Sequence, residues 1–230
     1  MLKTVKTLVP AGVKAALKAT VQGYRLRRGL RAISALNEGE LPTRAMLRSL
    51  SLGWGNDGYA ANLDYLEEVA RNAATTAGPV LECGSGLTTL LLGMLAGRRG
   101  VVVRSLEHSA EWRQRIAAVV SQYQIANVEV LGSPLRDYGA FAWYDPPLDQ
   151  LPEEFRLVVC DGPPGMTKGG RYGLLPLFGR RLPEGSVILV DDAGRPGEVE
   201  MINRWRSELE LTVEVFNKPA GRFATLVRCG

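Results

Sequence analysis

Val80-Leu81-Glu82-Cys83-Gly84-Ser85-Gly86-Leu87-Thr88-Thr89 is the stretch on which the fold turns. A short apolar run meets a Gly-x-Gly turn and passes directly into a second apolar segment of helical length, so it reads as strand, tight turn and helix. Glycines at 84 and 86 let the backbone turn sharply and approach a ligand without Cβ interference. As a dinucleotide-binding G-x-G-x-x-G the stretch fails, because Thr89 stands where the third glycine is needed. It also fails as a phosphate-clamping loop, since no Gly-Lys-Ser/Thr follows. Both failures speak against a phosphate ligand. Glu82, two residues before the first glycine, instead suits a ligand carrying positive charge or hydroxyls.

Outward from this turn, strand-like runs alternate with amphipathic stretches. The runs are Pro79–Cys83, Val101–Leu106, Val128–Leu131, Leu157–Cys160 and Val187–Val190. Trp112, Ile116, Val120 and Tyr123, and later Val199, Ile202, Trp205 and Leu209, recur at helical spacing between them. Alternating strands and helices predict a parallel sheet covered on both faces. Leu211–Phe216, a Lys218-Pro219-Ala220-Gly221 turn and Phe223–Val227 break that rhythm and predict a terminal antiparallel hairpin. Towards the N-terminus, a helix over about 42–51 leads through the turn-rich 53–58 into another over about 59–74.

Composition agrees with a soluble globular domain: 230 residues, 46% hydrophobic and 23% charged. The longest charge-free apolar run, Cys83–Gly97, has fifteen residues, short of the ~20 that span a bilayer. Cys83, Cys160 and Cys229 are odd in number and widely spaced, which predicts reduced thiols and a cytoplasmic address rather than a disulfide framework or zinc cluster. The formal net charge of +4 is unevenly placed: residues 1–31 hold eight cations and no acid, and the rest is net negative. From Val13, the apolar residues Val13, Leu17, Val21 and Tyr24 recur every three or four positions, with Lys14, Lys18, Arg25 and Arg28 on another side. This amphipathic basic helix reads either as a helix packed on the domain with a solvated cationic face or as a contact for anionic lipid or nucleic acid. Its lysines interrupt the apolar stretch an export signal needs, and a mitochondrial presequence is also compatible with its composition. One domain, 53–230, behind a basic helical extension, 1–52, is the expected organisation.

In an open parallel sheet the ligand sits beyond the carboxyl ends of the strands. Glu107 closes the second run, 21 positions past Gly86, near the ~20 at which an acid meets ribose hydroxyls in nucleoside-binding folds. A nucleoside without a phosphate tail is the expected ligand. On these residues the chain resembles the class I S-adenosylmethionine-dependent methyltransferases, with Glu82–Thr89 matching their first motif and Glu107 their ribose-binding acid. Cys160-Asp161-Gly162-Pro163-Pro164-Gly165, Arg171-Tyr172 and Val190-Asp191-Asp192-Ala193 look more closely like a bacterial O-methyltransferase-like subgroup with a Gly-Pro-Pro-Gly loop. The resemblance covers about 54–227. It implies a doubly wound, Rossmann-like α/β fold, seven strands in the order 3-2-1-4-5-7-6 with strand 7 antiparallel. It also implies that Glu82 and the Gly84-Ser85-Gly86 turn hold the methionine end, Glu107 the ribose, and Gly132-Ser133-Pro134-Leu135 the adenine. Thr88 departs from a glycine common in the wider superfamily; Thr88 and Thr89 are both expected to be tolerated, with a hydroxyl capping the helix.

Asp161, Asp191 and Asp192 follow two central strands, and three carboxylates together raise one another's pKa unless a cation sits among them. A Mg²⁺ or other divalent ion would relieve that, similarly to metal-dependent catechol and sugar O-methyltransferases, where the ion orients the acceptor oxygen. The other reading has Asp161 meeting cofactor or acceptor directly while Asp191 and Asp192 cap the next helix and bind Arg195. Catechol-type enzymes place a lysine three residues after the first metal aspartate; this chain has Pro164 there, leaving Lys168 as a substitute base. His108, the only histidine, is expected on the cofactor side. Arg171 and Tyr172, with Trp143 and Tyr144, are candidates for the acceptor pocket, and Trp54, Asn56 and Tyr59 for a cover over the cofactor. The expected activity is methyl transfer to a small-molecule hydroxyl. The competing reading is a non-catalytic methyltransferase-like binding protein tethered by its basic helix. A nucleic-acid substrate is disfavoured by the acidic body, and an NAD-dependent oxidoreductase by Thr89.

Overall fold

The computed structural model describes residues 10–55 and 61–230; Asn56 and Tyr59 lie outside them. Three helices come first, α1 (Ala11–Ser34), α2 (Arg44–Trp54) and α3 (Leu63–Thr75). Thr43 caps α2 by accepting from the Met46 N–H at 3.3 Å, and Asn62 caps α3 by accepting from the Tyr65 N–H at 3.0 Å. Each such cap is worth about 1 kcal/mol. Gly55, at φ 67°, ends α2 in the left-handed conformation that glycine reaches without strain.

The alternating part follows as β1 (Val80–Cys83), α4 (Leu87–Ala96), β2 (Val103–Glu107), α5 (Ala110–Gln122) and β3 (Val128–Gly132). A small hairpin, β4 (Leu135–Asp137) and β5 (Ala142–Tyr144), comes next. The chain continues as β6 (Leu157–Cys160), α6 (Leu174–Phe178), β7 (Val187–Val190), α7 (Pro196–Glu208), β8 (Leu211–Lys218) and β9 (Gly221–Arg228). The main sheet runs β3-β2-β1-β6-β7-β9-β8, which is the expected 3-2-1-4-5-7-6 once the separate β4–β5 pair is set aside. β9 enters antiparallel between β7 and β8.

Both faces of the sheet are buried at its centre, which is why β6 and β7 are apolar throughout rather than alternating, whereas the edge strand β8 is largely exposed. Val80, Val103, Val130, Leu157, Val159 and Leu189 point into a core shared with α1 to α5. Their neighbours Leu81, Cys83, Leu106, Leu131, Val158, Cys160, Ile188 and Val190 point the other way, into a core closed by α6, α7 and β5. Leu30 and Ile33 of α1 and Leu47 and Leu50 of α2 belong to the first core. Among the described residues no helix is long and apolar enough to cross a membrane.

Candidate active site

The register aligns Cys83 with Leu106 on one side and with Cys160 on the other, and Cys160 with Val190, so four parallel strands end at one edge. A cavity of about 620 Å³ opens there. Gly84, Ser85, Glu107, His108, Ser109 and Trp112 form one wall; Asp161, Gly162, Arg171, Asp191, Asp192 and Arg195 form the other.

The elbow is built around two buried acids. Gly84 sits at φ +94°, and a Cβ there would lie 3.0 Å from the Gly162 nitrogen, so the turn after β1 and the turn after β6 touch through two glycines. The Cys83 carbonyl accepts from the N–H groups of Asp161 at 3.1 Å and Gly162 at 2.6 Å, locking the turns together. Glu82 is fully buried and accepts from the hydroxyls of Thr88 at 2.6 Å, Thr89 at 2.6 Å and Ser105 at 2.5 Å. Burial lifts its pKa to about 7 against the pull of those three donors. Thr89 Oγ1 also accepts from the Gly86 N–H at 2.8 Å, so the expected hydroxyl cap is made by Thr89, and Thr88 braces Glu82.

Glu107 reaches the elbow directly. One of its oxygens accepts from the Ser85 N–H at 3.1 Å and the Ser85 hydroxyl at 2.8 Å; the other accepts from the Ser109 N–H at 2.9 Å, with His108 Nδ1 at 3.1 Å. The Trp112 indole N–H donates to the Ser85 carbonyl at 2.7 Å, and Trp54 packs edge-on against Trp112 at 6.2 Å.

On the far wall Asp161, Asp191 and Asp192 bring ligand oxygens within 4.8 Å of one another. Burial, with Asp161 as the next cause, pushes Asp191 up to about 7. Asp161 is also raised by burial, with Arg171 opposing. Arg171, 2% exposed, threads between the strand ends: its guanidinium lies 3.3 Å from Asp161 Oδ1 and 3.2 Å from Asp192 Oδ2. It also donates to the carbonyls of Cys160, Asp161 and Asp191. Arg195 closes on Asp192 at 2.9 Å. The donor set therefore fits a resident divalent ion poorly: the place between Asp161 and Asp192 is taken by a guanidinium, and the charge of the three acids is largely met by two arginines. Asp192 has φ 56°, a conformation in which its carboxylate turns back toward Arg171 and Arg195.

The remaining candidates divide. His108 and Tyr144 line the cavity. Glu82 does not; it stands behind the elbow, its oxygens taken by hydroxyls of the chain, so its place is that of a brace rather than of a ligand contact. Gly86, Thr88, Ser133, Pro134 and Leu135 are likewise off the lining, Leu135 facing solvent. Lys168 is directed away and lies 3.4 Å from Asp137, a correction to its expected place as a base at the site. Trp143 is wholly buried against Phe178, and the Tyr172 hydroxyl donates to Glu208 at 2.7 Å, so neither faces the cavity. Ser109 and Trp112 were not read as site residues. Ser109 carries a signal, since a serine two residues past a strand end and directly before a helix is an N-cap, and its side chain accepts from Trp112 N–H.

No protein-family model matches the chain, and no curated protein does. Solved structures do match. A Podospora anserina methyltransferase bound to S-adenosylhomocysteine is similar at TM-score 0.58 and 14% identity, over 98% of this chain and 100% of that one. A Bacillus cereus O-methyltransferase in complex with the same molecule gives 0.56 and 16%, over 93% and 97%. A precorrin-6Y C5,15-methyltransferase of Geobacter metallireducens gives 0.57 and 13%, over 76% and 92%. The strand order and these likenesses together give the chain the seven-stranded Rossmann-like methyltransferase fold.

Proposed function

We propose that the chain is an S-adenosylmethionine-dependent methyltransferase acting on a small-molecule hydroxyl. The observation that carries this reading is the meeting of Ser85 with Glu107. It makes one rigid unit of a glycine elbow and a strand-terminal acid, beside a cavity of about 620 Å³. Glu107 faces the cavity, where ribose hydroxyls would take over acceptor positions that the Ser85 hydroxyl and His108 now hold, and Gly84 lets the methionine end pass close to the backbone. The solved neighbours bound to S-adenosylhomocysteine support that ligand.

The acceptor then lies against the aspartate wall. Its oxygen lone pair forms the new C–O bond at the sulfonium methyl while the C–S bond breaks and its electron pair stays on sulfur, leaving S-adenosylhomocysteine. The hydroxyl proton passes to the Asp161–Asp191 carboxylate pair. Most of the rate comes from holding oxygen, carbon and sulfur in line. No step is routed through a divalent ion, because Arg171 stands where it would bind.

Calorimetry tests the reading. S-adenosylmethionine and S-adenosylhomocysteine bind the wild-type chain, and Glu107→Ala, by leaving the ribose hydroxyls and two backbone N–H groups without their acceptor, weakens both by roughly 100-fold, or about 3 kcal/mol. No binding at millimolar ligand ends the reading. Turnover over a panel of hydroxylated acceptors, with and without a chelator, separates an enzyme from a binding protein that retains the cofactor alone; loss of turnover on chelation would restore the cation.

A further inference from the structure

We infer that α1 is a docking element for an anionic membrane surface. The helix has two apolar faces. Leu30 and Ile33 are buried in the core, and Gly29 and Gly53 allow α1 and α2 to pack backbone to backbone, a Cβ at Gly53 running into the Leu26 main chain. Val13, Leu17, Val21 and Tyr24 lie on the opposite side, within an arc of about 80° at 3.6 residues per turn. They are 49%, 58%, 45% and 60% exposed, although ordinary packing would bury such residues.

Cations frame this stripe. Lys14, Lys18 and Arg25 line one edge and Arg27 the other, while Arg28 and Arg31 continue the stripe toward the C-terminal end; the arginines are exposed. No acid occurs before Glu38. From Val13 to Tyr24 the stripe runs about 16 Å, too short to cross a bilayer and suited to lying in its surface. Charge decides the occupant. A second copy would set six cations against six, and a nucleic acid would meet the cations but leave four apolar side chains facing phosphate. An anionic bilayer satisfies both, taking Val13, Leu17, Val21 and Tyr24 among its acyl chains and the cations at its headgroups. This inference is independent of the methyl-transfer reading.

Flotation of the full chain with phosphatidylcholine vesicles, with and without phosphatidylserine, tests it. The chain rises with the anionic vesicles, binding falls with added salt, and neutral vesicles leave it at the bottom. Val13→Ser/Leu17→Ser/Val21→Ser weakens anionic-vesicle binding by at least about tenfold. Circular dichroism confirms the helix content of the variant, whose substitutions touch none of the core residues. Failure to float with anionic vesicles, or unchanged flotation of the triple variant, overturns the proposal. So does concentration-dependent dimerisation abolished by the triple variant, or duplex binding that persists in it without any vesicle binding.

Discussion

The two walls of the cavity hold their acids by opposite means. On the elbow wall and behind it, Glu107 and Glu82 are met, His108 beside Glu107 apart, by hydroxyls and backbone N–H groups, neutral donors that satisfy oxygen lone pairs without cancelling charge. On the far wall Asp161 and Asp192 are met by the guanidiniums of Arg171 and Arg195. A neutral donor can be exchanged for a ligand hydroxyl at little cost, because both are weak partners of similar geometry. A buried guanidinium cannot, since its removal leaves unpaired charge. The elbow wall is thus built to exchange hydrogen bonds with a ligand and the aspartate wall to hold a fixed electrostatic shape.

Arg171→Met breaks that contrast most severely. The substitution keeps much of the volume but strips Asp161 and three strand-end carbonyls of the guanidinium and leaves Asp192 with Arg195 alone. Full burial of such a pair would put the loss at about 3–5 kcal/mol. The two carboxylates retain 30% and 32% of their side-chain exposure, and that solvation brings the expected loss to about 3 kcal/mol, read from the urea midpoint. Arg171→Lys returns the charge but not the fork, and recovers only part. A methionine variant as stable as the wild type would mean that the far wall is not held by the guanidinium.

Glu82→Gln sharpens the comparison from the other side. Burial, which its three hydroxyl partners offset only in part, gives Glu82 a folded pKa near 7, above the 4.5 of an unperturbed carboxyl. The folded state then binds the extra proton, so this contribution to stability is complete below about 4.5 and is lost as pH rises through 7. Glutamine carries no such charge and keeps an acceptor for Thr89. Urea unfolding across this pH range should show a shallower decline for the variant, which gains up to about 3 kcal/mol on the wild type at high pH. Asp191, raised to about 7 on the far wall, retains its share of the slope in both proteins. An unchanged slope would show Glu82 ionised in its nest of hydroxyls.

The elbow wall was legible in the sequence because local rules write it. A strand, two glycines and a helix cap are contiguous, and Glu107 follows at a spacing fixed by one helix and one turn. The far wall was legible in part, since Arg195 was an expected partner of the aspartate pair and does close on Asp192. Three aspartates announced a need for cations, but Arg171 meets them from a turn ten residues past Asp161, through backbone that carries no periodic signal. The hairpin β4–β5 escaped for a similar reason: its strands have three residues each, and β4 is exposed throughout, so neither length nor alternation marked it. That hairpin buries Trp143, and it carries Tyr144 to the seam between the walls. The basic helix showed its apolar stripe in sequence, but the second face, with Leu30 and Ile33, appears only once α2 is packed on it.

The seam supplies the smallest and most local test. Gly84 and Gly162 touch where the walls join, and a Cβ at Gly162 would run into the Tyr144 hydroxyl while standing 3.1 Å from Gly84 Cα and 3.2 Å from the Cys83 carbonyl. Gly162→Ala should therefore cost about 2 kcal/mol in thermal or urea unfolding, the usual scale of overpacking in a closed site. Part of that cost belongs to the hydroxyl and part to the backbone contact between the turns. Tyr144→Phe removes the first and leaves the second, so the double variant should recover roughly half of the loss, a coupling of about 1 kcal/mol. Full recovery would mean that the walls meet only through the tyrosine, and no recovery that the glycine-to-glycine contact alone sets their spacing. Either result would say which element fixes the gap between the two walls, across which the proposed reaction would set cofactor against acceptor.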